Sequence, residues 1–288
     1  MRFSFSTNAF TGFSVFHAVE RIASLGYEGV ELLADVPHLY ADSVTDGELI
    51  RLKAILDRTG LTVANINANT AVGFYKGTFW EPLFEPSLAH PNPELRRWRL
   101  EYSKKCVDIA HFLNAPSISV TSGRPCPGVL PEQSLVFLNQ SLQELVSYAE
   151  SQSVRVGIEY EPGLLLENSH ELLKILDALP SPYLGANLDL GHSHVLGECP
   201  ETVIAALSDR VFHVHLEDIR GTKHFHLVPG DGDMDFPRLL AILDTCGYDG
   251  FVTVELYTFP HQPEEAAQRA LTYLLAVQNQ QKRIEDEV

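Results

Sequence analysis

Eight short runs rich in Val, Ile and Phe alternate with longer stretches of helical periodicity along this 288-residue chain. That alternation admits few folds, because parallel strands need crossovers and the crossover helices must cover the sheet they return to. The runs fall near residues 2–7, 29–33, 62–67, 116–121, 155–160, 184–189, 211–216 and 251–256. Helices are expected over roughly 14–25, 46–59, 93–113, 131–151, 169–179, 200–207, 236–246 and 263–281. Gly26, Gly60 and Gly247 stand where three of these helices end, the place of a left-handed cap. The length and the 45% hydrophobic content suit one core, so the expectation is a single α/β domain over 1–288, a (β/α)8 or TIM barrel.

Two connections exceed what a βα loop needs. The first, TAVGFYKGTFWEPLFEPSLAHPNP, is a lid-like insertion at about 70–92, rich in aromatics and prolines. Phe74, Tyr75, Phe79 and Trp80 there either exclude water and stack on a substrate or form a small cluster that pins the insertion. Both readings stay open, with Trp80 carried as a candidate substrate contact. The second, DIRGTKHFHLVPGDGDMDF after the seventh strand, brings His224 and His226 towards the same end of the barrel.

Lys and Arg number 21 against 38 Asp and Glu, a formal charge of −17 with neutral histidine. Such a field repels polyphosphates, and the chain shows no basic groove, so nucleic acid is not an expected partner. Bound cations would offset part of the excess. The four cysteines are scattered without a CxxC pair, against a thiolate cluster or a disulfide scaffold. MRFSFSTNAF opens directly into a strand, and no segment approaches the roughly 20 apolar residues of a membrane span, so a cytoplasmic protein without membrane contact is expected.

The chemistry is concentrated at strand ends. Glu159 in RVGIEY, Asp189 in LGANLD, His215 in VFHVHL and Glu255 in FVTVEL close four successive apolar runs. A parallel barrel gathers such ends around one mouth, and carboxylates there are expensive to bury without a cation or a donor. Three carboxylates and an imidazole suit one divalent ion, Mn, Mg, Co or Zn. A barrel lysine or arginine is the other conceivable partner for Glu159, yet few cationic residues lie near strand ends. Glu161 shares a strand face with Glu159 and is placed at the rim, within reach of substrate. Asp189-Leu190-Gly191-His192 reads as a glycine turn that brings His192 to the mouth beside Asp189. His213 points the same way as His215 but lies deeper, behind the ligands. Six of the 12 histidines fall between 192 and 226, which favours chemistry over packing. Glu159 and Glu255, facing a substrate from two sides, form a proton-transfer pair for a carbon next to a carbonyl.

IEYEPG, NLDLGH, HVHLED with VPGDGDMDF, and GYDGFVTVEL, together with HPNPELRRWRLEYSKKCVDIA, resemble the xylose isomerase-like barrels of the sugar phosphate isomerase/epimerase superfamily over most of the chain. The resemblance implies that Glu159, Asp189, His215 and Glu255 are the metal ligands. It also implies that Glu159 and Glu255 act as the acid/base pair and that His192 and His226 contact substrate oxygens. Ketose 3-epimerases usually carry an arginine where His226 stands, whereas the apurinic endonuclease branch places a metal-binding histidine there. His192, His224 and His226 could therefore hold a second ion. That branch also takes histidines from its third and fourth strands, and here those ends read NINANT and SVTSG. The expected function is a divalent-metal-dependent isomerase or epimerase of a sugar or related polyhydroxylated small molecule. A metal-dependent hydrolase or dehydratase and a non-catalytic metabolite-binding barrel are the alternatives. Lys76, Arg124 and Lys223 lie in mouth loops, but no glycine-rich phosphate cradle stands out, so an unphosphorylated ligand is favoured. Another copy of the chain is an admissible partner.

Overall fold

The computed structural model describes residues 1–286. Eight parallel strands, β1 (Arg2–Ser6), β2 (Gly29–Leu33), β3 (Thr62–Asn67), β4 (Ser117–Thr121), β5 (Arg155–Glu159), β6 (Leu184–Asp189), β7 (Val211–Leu216) and β8 (Phe251–Val254), close in sequence order, with β8 paired to β1. The expected strands are all present. β8 stops at Val254, however, so Glu255 is the first residue beyond the strand and not its last, although its N–H still donates to the Leu216 carbonyl at 3.0 Å. β5 likewise ends at Glu159, leaving Glu161 in the following loop.

The covering helices are α1 (Val15–Leu25), α2 (Asp46–Thr59), α3 (Pro93–Leu113), α4 (Pro131–Ser151), α5 (Ser169–Ala178), α6 (Leu190–Val195), α7 (Pro200–Leu207), α8 (Phe236–Thr245) and α9 (Pro263–Asp286). Local chemistry sets their ends. Thr45 and Glu48 form a reciprocal capping box at the start of α2, and Gly60, at φ 74°, closes it in the left-handed region that a Cβ disfavours. Leucine, isoleucine and valine from the inward stripes of the helices pack on the outer strand faces as one continuous core.

α6 was not anticipated. In place of a glycine turn, the chain passes from β6 straight into this short helix, with Asp189 as its N-cap accepting from the His192 N–H at 2.9 Å. Among the described residues, no helix is long and apolar enough to cross a membrane.

Candidate metal centre and active site

Barrel closure brings one ligand atom each of Glu159, Asp189, His215 and Glu255 within 4.8 Å of one another, all on buried side chains. Asp189 and His215 are register partners on β6 and β7, which sets them side by side at the carboxyl end. Three of the four are on strand ends because inward residues recur with period two, and the fourth follows β8 directly.

A residue invisible to the strand-end argument orients the imidazole. Glu31, fully buried in the middle of β2, lies with Oε2 2.6 Å from His215 Nε2 and 3.3 Å from His213 Nε2. His215 therefore presents Nδ1 to the cluster, 3.1 Å from Glu159 Oε1 and 3.8 Å from Glu255 Oε2. A carboxylate behind a histidine in this way fixes its tautomer and raises its basicity. Burial opposes ionisation of Glu31, but His215 and His213 more than offset it and hold the carboxyl well below its usual range. His215 shows the reverse pull: burial lowers its proton affinity, and Glu31, Glu255 and Glu159 raise it well above the ordinary value. The same negative field favours a divalent cation.

Four asparagines complete the arrangement. Asn8 and Asn67 donate to Glu255 Oε1 at 2.8 and 3.0 Å. Asn187 donates to Glu159 Oε2 at 2.9 Å, and Asn69 donates to the same oxygen. Each glutamate thus has one oxygen held by amides and the other, Oε2 of Glu255 or Oε1 of Glu159, turned to His215 Nδ1. The NINANT segment carried part of this signal, three asparagines at period two, without revealing what they would meet.

These side chains fit a divalent ion. Among the described residues, no lysine or arginine pairs with Glu31, Glu159, Asp189 or Glu255, so the cationic alternative for Glu159 is not realised. Asp189 Oδ2 is buried without a hydrogen-bond partner, which an isolated carboxylate oxygen tolerates poorly. Carboxylate oxygens and one imidazole nitrogen are the donors that hard and borderline cations take.

Above the cluster opens a cavity of about 350 Å³, lined by Glu161, His192, His224, His226, Arg124 and Tyr257 as well as by the centre itself. His192 donates from Nδ1 to the Tyr160 carbonyl at 2.9 Å and holds Nε2 3.7 Å from Asp189 Oδ2. His226 donates from Nδ1 to the Glu255 carbonyl at 2.7 Å, and its Nε2 lies 3.0 Å from His224 Nε2. Burial pushes the His226 imidazole down to about 3. Burial raises the Glu161 carboxyl to about 7. His192, His224 and His226 do come together, each with a ring nitrogen within 4.8 Å of the others.

Two buried aspartates pin the long connections. Asp218 accepts from the N–H groups of Gly230, Gly232 and Met234 at 2.9, 2.7 and 3.2 Å, which folds VPGDGDM back and delivers His226 to the mouth. Asp35 accepts from Val72 and Gly73 N–H at 2.6 and 2.9 Å and from the Thr70 hydroxyl at 2.6 Å. The insertion meets the cavity through Thr70, Val72, Leu83 and Phe84. Trp80 is placed otherwise than expected: it is 63% exposed, outside the cavity lining, and packs on Phe74 and Tyr75 at ring separations of 5.9 and 4.6 Å. The aromatic tip is thus the pinning cluster, continued by Phe74 against Trp98 at 4.4 Å.

The family profile for xylose isomerase-like TIM barrels matches residues 19–277. The chain belongs to that family. Fructoselysine 3-epimerase of Shigella flexneri is 26% identical over 274 residues, 93% of this chain and 94% of the relative. Inosose dehydratase of Clostridium perfringens (strain 13 / Type A) is 28% identical over 165 residues, 51% of this chain and 56% of its own length. Among solved structures, a D-tagatose 3-epimerase-like protein superposes with a TM-score of 0.80 at 22% identity, over 98% of this chain and 99% of that one. IolI with a bound zinc atom gives 0.78 at 18% identity, over 96% and 98%. These structural likenesses establish the barrel. With the relatives in this family, the chain is an enzyme of the isomerase and epimerase type.

Proposed function

We propose that this member of the xylose isomerase-like family is a divalent-metal-dependent epimerase or isomerase of a ketose or ketose-derived small molecule, moving a proton at a carbon next to the carbonyl. The observation that carries this reading is the pair Glu159 and Glu255, each with one oxygen clamped by two asparagine amides and the other turned to the shared centre. Fixed carboxylates facing one substrate from two sides of the barrel mouth can remove a proton and return it on the other side. Glu159, Asp189, His215 and Glu255 would hold the ion, which when bound would polarise the carbonyl and stabilise the negative charge that develops beside it.

The chain's own groups account for the rest. His192, His226 and Glu161 line the space where hydroxyl groups of the substrate would sit, while Leu33, Val72, Leu83 and Phe84 exclude water from one side. A cavity of about 350 Å³ suits a monosaccharide-sized ligand better than a polymer. Similarity to a fructoselysine 3-epimerase along nearly the whole chain supports a ketose carrying a substituent. Similarity to inosose dehydratases over about half the chain supports a second reading, elimination of water after the same deprotonation.

The test is incubation of the metal-loaded enzyme in D2O with a panel of ketohexoses, fructosyl-amines and inososes, followed by NMR. Deuterium at the carbon next to the carbonyl, lost by about 10²–10⁴-fold in Glu255→Gln with metal content retained, is the expected result. Exchange as fast in the variant as in the wild type would remove Glu255 from proton transfer. Loss of water from an inosose would select the dehydratase reading.

A further inference from the structure

We propose that Arg124 selects the substrate of this site: a ketose or ketose derivative whose substituent carries an anionic group, a carboxylate or a phosphate ester. The inference rests on the reading of the cavity as a ketose site and names the class of molecule it takes. Arg124 lines the cavity and is the one lysine or arginine among the described residues to do so. Lys76 and Lys223, the other cations of the mouth loops, stay outside the lining. Glu159, Glu161 and Glu255 line the same space in a chain of formal charge −17, so apart from the ion itself an anionic substrate would meet attraction only at Arg124.

The loop after β4 is built to hold Arg124 in one place. Glu85, 3% exposed, accepts from the Arg124 N–H at 2.9 Å and from the Ser87 N–H at 2.8 Å, so a buried carboxylate of the insertion fixes the backbone of an exposed residue. Gly123 before it sits at φ 77°, where a Cβ would lie 2.1 Å from that of Ser87, and its carbonyl accepts from the Leu165 N–H at 2.8 Å. Pro125 restricts Arg124 from the other side. The guanidinium, by contrast, is uncommitted. Among the described residues it has no hydrogen bond, ion pair or aromatic partner, although Glu161 lines the same cavity. Six other arginines of this acid-rich chain, Arg21, Arg58, Arg97, Arg210, Arg238 and Arg269, each pair with a carboxylate. Water can satisfy an exposed guanidinium, so the lack of a partner alone decides nothing. An anchored backbone together with a free fork of donors at the cavity wall points to a ligand group, and carboxylate and phosphate are the groups that fork matches with two parallel bonds.

Isothermal calorimetry on the metal-loaded enzyme tests this with two matched pairs, fructosyl-glycine against its amide and fructose 6-phosphate against fructose, in the wild type, Arg124→Gln and Arg124→Lys. The wild type is expected to bind at least one anion about 10-fold tighter than its neutral partner, with that ratio falling close to one in Arg124→Gln and recovering in part in Arg124→Lys. Which pair shows the ratio tells carboxylate from phosphate. Equal affinities within both pairs, or no binding of any of the four compounds, would overturn the proposal. So would a ratio unchanged in Arg124→Gln, which would put the anion on the metal ion. Deuterium exchange of the same compounds reads the ketose chemistry separately. Exchange in the wild type without an Arg124-dependent ratio would leave the epimerase reading standing and sink this one, whereas an Arg124-dependent ratio without exchange of any compound would do the reverse. Because the side chain makes no contact that the fold uses, Arg124→Gln is expected to keep the wild-type Tm.

Discussion

A Cβ placed on Gly191 would lie 1.6 Å from Oε1 of Glu217 and 2.5 Å from its Cδ. The glycine of NLDLGH, the second residue of α6, is therefore required by the carboxylate packed against it and not by a left-handed backbone. Gly191→Ala should cost on the order of 1–3 kcal/mol, because Glu217 is enclosed and cannot move without disturbing its neighbours. Thermal unfolding in chelator should show the loss without added metal. An unchanged midpoint would mean that Glu217 has another rotamer available.

Glu31→Gln separates orientation from ligation. The amide keeps an oxygen for the His215 Nε2–H but loses the charge that raises imidazole basicity, so Mn(II) affinity measured by calorimetry should fall about 10–100-fold. Unaltered affinity would show that packing alone orients His215.

Arg99 is fully buried on α3, and its guanidinium donates to the carbonyls of Ala68, Asn69 and Thr70, the loop that carries Asn69 to Glu159. Arg99→Leu leaves those acceptors unsatisfied and should destabilise the protein by on the order of 3 kcal/mol. Denaturant unfolding monitored by circular dichroism checks this. A variant as stable as the wild type would show that water replaces the guanidinium.

Trp80 and Leu83 should behave differently although they are neighbours in one insertion. Leu83 lines the cavity, so Leu83→Ser should raise KM several-fold, while Trp80→Ala should loosen the aromatic tip and leave KM within about twofold. A large KM effect in Trp80→Ala alone would place the indole over the substrate after closure.

The strands and most helices were legible because their periods of two and 3.6 are written in consecutive residues. The cluster at 159, 189, 215 and 255 was legible for the same reason: a charged residue or imidazole closing an apolar run is a local anomaly. Glu31, a charged residue in the middle of GVELL, escaped that argument, and what it orients lies on β7, which β2 meets only across the closed barrel. Asn8, Asn67, Asn69 and Asn187 meet Glu255 and Glu159 only because barrel closure sets them there.

By itself the sequence determined a (β/α)8 barrel and a ring of acid and imidazole at its carboxyl end, because spacing and alternation dictate which residues share a face. Only the tertiary structure decided the rest. It turned Nδ1 of His215 to the centre, left Glu217 without a donor, required glycine at 191 and moved Trp80 out of the cavity. Those outcomes depend on distances between residues far apart in the chain, which no local pattern encodes.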